Sequence, residues 1–143
     1  MSKLTLMILA LFAFNASAAT VLLEKHAVSG LTIPENSFKK DCSIFREGYV
    51  ESYTKRGDGT IIGFTHMIRS GRIFEMKQLL KVARRAGIAD GGILCDAGTT
   101  IVTGHYAGKA VMLKAQIDCD SYKFRKGWAA QRLRNLVADI CAF

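Results

Sequence analysis

Residues 111–119 read Val-Met-Leu-Lys-Ala-Gln-Ile-Asp-Cys, and this stretch carries the clearest structural pattern in the chain. Every odd-numbered residue from Val111 to Cys119 is apolar, whereas three of the four residues between them are polar. A period of two is typical of a β-strand with one buried face. We therefore predict a half-buried strand here.

A tight turn near Ala107-Gly108 would fold this strand back on residues 93–106. If residue 105 faces 109, then Ile101 faces Leu113 and residue 95 faces 119. The apolar faces of the two strands then coincide, which favours this register.

The same register places Cys95 opposite Cys119. Facing Cβ atoms in an antiparallel pair are roughly 4.5–5.5 Å apart, which is close to disulfide distance. We predict a Cys95–Cys119 disulfide, and the two remaining cysteines, Cys42 and Cys141, are left to pair with each other. A bulge between residues 96 and 100 would shift this register.

The four cysteines are even in number, which favours two disulfides in an exported domain. Zinc is the alternative, but no two cysteines have the C-x-x-C spacing that is common in zinc sites. A Cys42–Cys141 bond would close a long loop and contribute roughly 3–5 kcal/mol to stability in the chain-entropy model.

Upstream, residues 73–86 change to a helical period. Ile73, Met76, Leu80 and Ala83 recur every three or four residues, which indicates an amphipathic helix. Gly87 follows, in the place where a glycine commonly ends a helix in a left-handed cap.

Downstream, a second helix is predicted from Gly127 to Cys141. Trp128 begins it and is predicted to lie in the core. The buried stripe of this helix comprises Ala129, Leu133, Leu136, Val137 and Ile140.

The N-terminal half contains three further β-rich runs. Val21–Val28 predicts a first strand, and residues 48–55 and 60–68 flank a Gly-Asp-Gly turn that is typical of a hairpin. Residues 29–46 contain the only proline, Pro34, and predict a loop or short helix held by Cys42. The predicted fold is α+β: an antiparallel sheet of about five strands, formed by two hairpins and the N-terminal strand, with two amphipathic helices on one face and disulfides that stabilise it.

The first nineteen residues resemble a secretory leader. Lys3 precedes an apolar run over residues 4–14, and small residues follow up to Ala19. The pattern predicts cleavage after Ala18 or Ala19, and a single globular domain over residues 20–143. The apolar run is shorter than the roughly 20 residues of a spanning helix. No integral membrane segment is expected after cleavage, and the mature protein is expected to be secreted or periplasmic.

The predicted mature chain is strongly basic. Lys3 is the only charged residue of the leader, so 19 basic residues face 12 acidic ones and the mature chain carries +7. A field of this sign attracts acidic proteins and anionic polymers. The expected partner is therefore another protein or an anionic polymer.

Few residues indicate catalysis. His66 and Glu51 fall on neighbouring strands of the predicted N-terminal hairpin and form the only candidate acid–base pair. The alternative role for His66 is a place in the core or at a sheet edge, beside Ile62 and Phe64. The spacing of the residues indicates neither a metal site nor a cofactor site.

Two basic groups are candidate binding residues. Lys123, Arg125 and Lys126 immediately precede the last helix, whose N-terminus itself favours negative charge, so an anionic ligand would offset their repulsion. Lys77 and Lys81 form a stripe on the first helix. The alternative in both cases is a solvated surface.

Three functions fit these features. The leading hypothesis is a module that binds a macromolecule, such as an inhibitor, an immunity-type protein or an effector. One alternative is a small secreted hydrolase of an anionic polymer, of the nuclease or cell-wall type. The other is a cationic protein that acts on membranes or envelopes. The sequence does not indicate an oligomeric state.

Overall fold

A computed structural model of the protein describes residues 20–30 and 33–142. The predicted leader lies outside the described residues. The strands are β1 (Val21–Val28), β2 (Phe38–Phe45), β3 (Tyr49–Arg56), β4 (Ile61–Met67), β5 (Ile88–Asp90), β6 (Thr99–Tyr106), β7 (Lys109–Ile117) and β8 (Ser121–Arg125). The helices are a 3-10 turn (Pro34–Asn36), α1 (Ser70–Ala83) and α2 (Trp128–Ile140).

The eight strands form one antiparallel sheet in the order β4-β3-β2-β1-β6-β7-β8-β5. The first and sixth strands are paired at its centre, and β4 and β5 form its two edges. Each half of the described chain thus contributes four neighbouring strands and one α-helix.

Both helices pack on the same face of the sheet, which we call the helix face. Leu23 on β1 pairs with Ile44 and Gly104, and the space in front of Gly104 is filled by Leu80 of α1. Lys25 follows on the same face of β1 and pairs with Cys42, which is bonded to the end of α2. The opposite side of the sheet, the open face, carries no helix in the described part of the chain.

The core lies between the helix face and the two helices. Leu80 packs directly against the backbone of Gly104, where an added Cβ would lie 2.5 Å from Leu80 Cδ1. The fully buried large side chains are Leu22, Leu23, Ile44, Met76, Leu80, Leu113, Leu133, Val50 and Val137.

Both predicted disulfides are present. Cys42–Cys141 is buried and joins β2 to the residue that follows α2, with Cα atoms 5.9 Å apart. Cys95–Cys119 lies on the surface, with Cα atoms 4.3 Å apart. The α+β fold stabilised by disulfides is therefore confirmed.

The predicted number of strands was wrong, since the sheet has eight strands rather than about five. Residues 29–46, predicted to be a loop or short helix, include the whole of β2. Charged residues on both faces of β2, Lys40 on one and Lys39 and Asp41 on the other, hide its period in the sequence. The short strands β5 and β8 were also missed.

The predicted register of the β6–β7 hairpin was wrong, although its turn at Ala107-Gly108 is correct. Tyr106 pairs with Lys109 across this turn, which shifts the pairing by one residue. An irregularity between Val102 and Thr103 shifts it again, so Ile101 faces Ala115 and not Leu113.

Cys95 reaches Cys119 without belonging to a strand. Asp96 and Gly98 have positive φ angles of 59° and 71°, and β6 begins only at Thr99. The Cys119 amide donates to the Leu94 carbonyl at 3.0 Å, and this contact brings the two cysteines together.

The helices differ from the prediction mainly at their ends. α1 ends at Ala83, where Ala86 N donates to Ala83 O in a tight turn, and Gly87 does not adopt the predicted left-handed conformation. Trp128 was wrongly placed in the core, since it is 69% exposed. It shares a face of α2 with the exposed Gln131 and Arg132, whereas the predicted buried stripe of α2 is confirmed.

Candidate functional site

A groove of about 930 Å³ opens on the helix face beside the β4 edge of the sheet. Its floor is formed by alternate residues of β2, β3 and β4, among them Phe38, Ser52 and Phe64. The 3-10 turn and Ile140 at the end of α2 line its sides. Its volume is within the range of pockets that bind ligands, and its lining is mostly apolar.

Strand β4 is an apolar edge with exposed side chains. Ile61, Phe64 and Met67 are 67%, 58% and 73% exposed. The strand has seven residues, contains no Asp, Glu, Lys or Arg, and pairs only with β3. Phe64 lies on the helix face, while Ile61 and Met67 lie on the open face, so both sides of the edge are apolar.

The opposite edge is built differently. β5 has three residues and ends in Asp90. Sheet edges in soluble proteins are usually shortened or charged because unpaired backbone groups invite another strand. β5 follows this rule and β4 does not, which makes β4 the part of the sheet best suited to receive a further strand.

The sequence-predicted pair His66 and Glu51 is not brought together. Val50 pairs with His66 and Glu51 with Thr65, and successive side chains of a strand point to opposite faces. His66 lines the groove on the helix face, whereas Glu51 points to the open face. The sheet backbone therefore separates the two groups.

The open face carries two histidine–carboxylate pairs that the sequence did not predict. His26 Nδ1 contacts Asp41 Oδ1, and His105 Nε2 lies 2.9 Å from Glu24 Oε1. Both pairs lie on the central strands, at a pocket of about 270 Å³ or beside it. A carboxylate that contacts one ring nitrogen fixes the orientation of an imidazole, as a general base requires.

The chemistry of these pairs is limited by what surrounds them. Ser43 lies on the same face of β2 as Asp41, but among the described hydrogen bonds it makes none to His26. Within residues 20–30 and 33–142, no group of three or more His, Cys, Asp or Glu side chains is placed to hold a metal ion. Each pair thus holds an imidazole in a fixed orientation on the open face.

Arg125, a predicted binding residue, is engaged within the protein. Its guanidinium donates to the carbonyls of Met112 at 2.8 Å, Ala86 at 2.6 Å and Arg84 at 3.2 Å. These bonds satisfy carbonyls at the end of α1 and join α1 to β7 and β8. The guanidinium therefore has a structural role.

The other predicted basic residues occupy two separate places. Lys77 and Lys81 lie one turn apart on α1, beside Tyr106, around a pocket of about 180 Å³. Lys123 and Lys126 are exposed on β8 and directly after it. The described ion pairs involve none of these four lysines.

A further pair of lysines, Lys25 and Lys114, lies partly buried on the helix face. Burial lowers the pKa of the Lys25 ammonium, and the charge of Lys40 lowers it further. Burial also lowers the pKa of the Lys114 ammonium, with smaller contributions from Lys25 and Arg134. These lysines are therefore less stable in their charged form than lysines in water.

The lowered pKa values predict how stability depends on pH. The unfolded chain binds more protons than the folded one between the lowered pKa and the ordinary lysine value of about 10.4, so these two groups make stability rise with pH in that window. We expect Lys25→Met and Lys114→Met each to raise the free energy of unfolding at pH 7 by up to about 1 kcal/mol, because each removes a partly buried charge whose repulsion water screens in part.

Urea denaturation at pH 7 and pH 10 measures this effect, and the gain should shrink at the higher pH. Lys81→Met, at an exposed position of α1, is the control and should change stability by less than about 0.5 kcal/mol. Lower stability of both buried-lysine variants at pH 7 would contradict the assignment of the cost to these charges.

No helix within the described residues is long and apolar enough to cross a membrane. Comparison of the chain with protein-family models, with curated proteins and with solved structures finds no match.

Proposed function

We propose that this chain is a protein-binding module that receives an extended segment of another protein as a ninth strand on β4. The observation that carries the proposal is the exposed, uncharged β4 edge beside the groove. An added strand would pair with the unpaired backbone groups of β4, and these hydrogen bonds supply affinity independently of the partner's sequence.

The groove would supply specificity. In an added strand, alternate side chains point to the helix face. They would lie over Phe64 and Ile62, at the mouth of the groove. The remaining side chains would contact Ile61 and Met67 on the open face. The segment that fits best is therefore one with apolar residues on both faces.

Charge favours a partner of a different kind over a second copy of this chain. Two chains of net charge +7 repel each other, whereas an acidic protein is attracted before contact. Lys77, Lys81, Lys123 and Lys126 contribute to this field. We therefore propose an acidic protein as the partner. This chain would then act on that partner as an inhibitor, an immunity-type protein or an effector.

The proposed place of action is outside the cytoplasm. Both disulfides agree with an oxidising compartment, and the leader-like first nineteen residues favour export. A secreted or periplasmic location, with cleavage after Ala18 or Ala19, follows as part of the proposal.

The two alternative functions have less support. The predicted acid–base pair of a hydrolase, Glu51 and His66, lies on opposite faces of the sheet, which leaves the histidine–carboxylate pairs of the open face as its support. An envelope-active protein would depend on charge alone, and charge does not account for the apolar β4 edge.

The experiment is capture of partners by the immobilised oxidised protein from its native milieu, with washes at low and high salt. We expect one protein to be retained through high salt by the wild type, and its retention to fall about tenfold or more with Phe64→Lys, because a charge would replace a central apolar contact.

Ile88→Lys on β5 is the matched control, since Ile88 is 50% exposed on the opposite edge. It should retain the partner as the wild type does, and both variants should melt at the wild-type temperature. If Phe64→Lys and wild type retain the same protein equally, β4 is not the binding edge. If only polyanions are retained and salt releases them, charge alone drives binding.

A further inference from the structure

Lys25 and Lys114 are aligned across the centre of the sheet. Lys25 on β1 pairs with Val102 on β6, and Val102 pairs with Lys114 on β7. Two strand spacings separate their Cα atoms, which is about 10 Å. Both side chains lie on the helix face, one on each side of the buried Val102.

Other cations lie around the same place. Lys40 on β2 pairs with Ala27, the next helix-face residue of β1 after Lys25. Arg134 of α2 is held near Lys114, since it donates to the Arg125 carbonyl at 2.7 Å and packs over the Phe124 ring. We call Lys25, Lys40, Lys114 and Arg134 the cationic patch.

Acidic side chains do not neutralise Lys25, Lys114 or Arg134 in the described part of the chain. The ion pairs of the described residues involve His26, Lys39, His105 and Arg132, and none includes Lys25, Lys114 or Arg134. Lys114 Nζ instead lies 5.6 Å from the centre of the Tyr122 ring. Like charges that are partly withdrawn from water repel each other, so the fold carries an electrostatic cost here.

We propose that the cationic patch binds a phosphate-type oxyanion, held between the ammonium groups of Lys25 and Lys114. An ammonium offers three donors, and lysine binds phosphate as a point charge. A doubly charged anion would neutralise both lysines at once, which a single carboxylate would not. This site is independent of strand addition at β4, and its failure would leave the proposed function untouched.

The first test uses inorganic phosphate. The oxidised protein is titrated at constant ionic strength, with chloride as the replacement, and binding is followed by calorimetry and by melting temperature. We expect a saturable rise of the wild-type melting temperature. Lys25→Met and Lys114→Met should each weaken binding about tenfold or more, because each removes a charge-assisted contact.

Lys77→Met and Lys81→Met on α1 are the controls and should bind as the wild type does. A wild-type response equal to that of chloride would overturn the proposal. So would an equal loss in the two controls, because general charge and not the patch would then be responsible. The melting temperatures of the two patch variants without phosphate should equal or exceed that of the wild type, which separates loss of binding from loss of folding.

A second arm separates the two sources of phosphate. Vesicles that contain phosphatidic acid present a phosphomonoester, and phosphatidylglycerol vesicles of equal surface charge present a diester. Preferential retention on phosphatidic acid, lost in Lys25→Met and Lys114→Met, assigns the site to a lipid headgroup. Saturable phosphate binding without a vesicle preference assigns it to a free phosphate compound. If the protein shows neither saturable phosphate binding nor a preference for phosphatidic acid vesicles, the proposed site is overturned.

Discussion

Replacing Cys42 and Cys141 together by alanine is expected to lower the free energy of unfolding by about 3–5 kcal/mol. The two residues are 99 positions apart, so the bond removes the entropy of a long loop from the unfolded chain. Both cysteines are also buried, at 1% and 0% exposed, and the bond fixes the end of α2 to β2. Such a loss is a large share of the roughly 5–15 kcal/mol that small domains have in total.

The matched control is the double replacement of Cys95 and Cys119, which are 24 positions apart and lie on the surface. The shorter loop predicts a smaller loss, about 3 kcal/mol in the same model. Denaturant unfolding of both double variants shows which of them loses more free energy of unfolding. A larger loss from the Cys95/Cys119 variant would show that the link between β2 and α2 does not organise the core.

The second large effect is expected from Leu133→Ala, with a loss of about 2–5 kcal/mol of stability. Leu133 is fully buried in the stripe of α2 that faces the sheet, and its removal leaves a cavity. Trp128→Ala, five residues earlier in the same helix, should cost less than about 1 kcal/mol, because the indole is 69% exposed.

This pair of variants distinguishes the structure from the sequence-based expectation, which placed Trp128 in the core. Chemical denaturation gives both values under identical conditions. If Trp128→Ala cost as much as Leu133→Ala, the rotation of α2 about its axis would differ from the one described.

Two elements, one strand and one helix, could be predicted from the sequence with nearly correct bounds. The bounds of Val21–Val28 agree with the structure, and the bounds of α2 agree to within one residue at each end. β2 could not be predicted in this way, because Lys40 on the helix face and Lys39 on the open face make its two sides look alike. The predicted register of β6 and β7 was also wrong. The irregularity between Val102 and Thr103 is not visible in the alternation of apolar and polar residues along β7.

The candidate site depends on strand order, which single-strand patterns do not contain. The sequence predicted a strand over residues 60–68, but its position at the sheet edge follows from the complete order of eight strands. The contact of His26 with Asp41 requires the pairing of β1 with β2, a strand that was not foreseen. Lys25 and Lys114 are 89 residues apart and meet only through β6.

Site-specific photo-crosslinking in the native compartment shows whether β4 contacts another protein. A photoreactive amino acid replaces Thr65, an exposed residue of β4, and in a second variant Ile88 of β5. We predict one discrete adduct with another protein from position 65 and none from position 88. An adduct with a second copy of this chain, equal labelling from both edges, or no adduct from position 65 would contradict the assignment of β4 as the recognition edge.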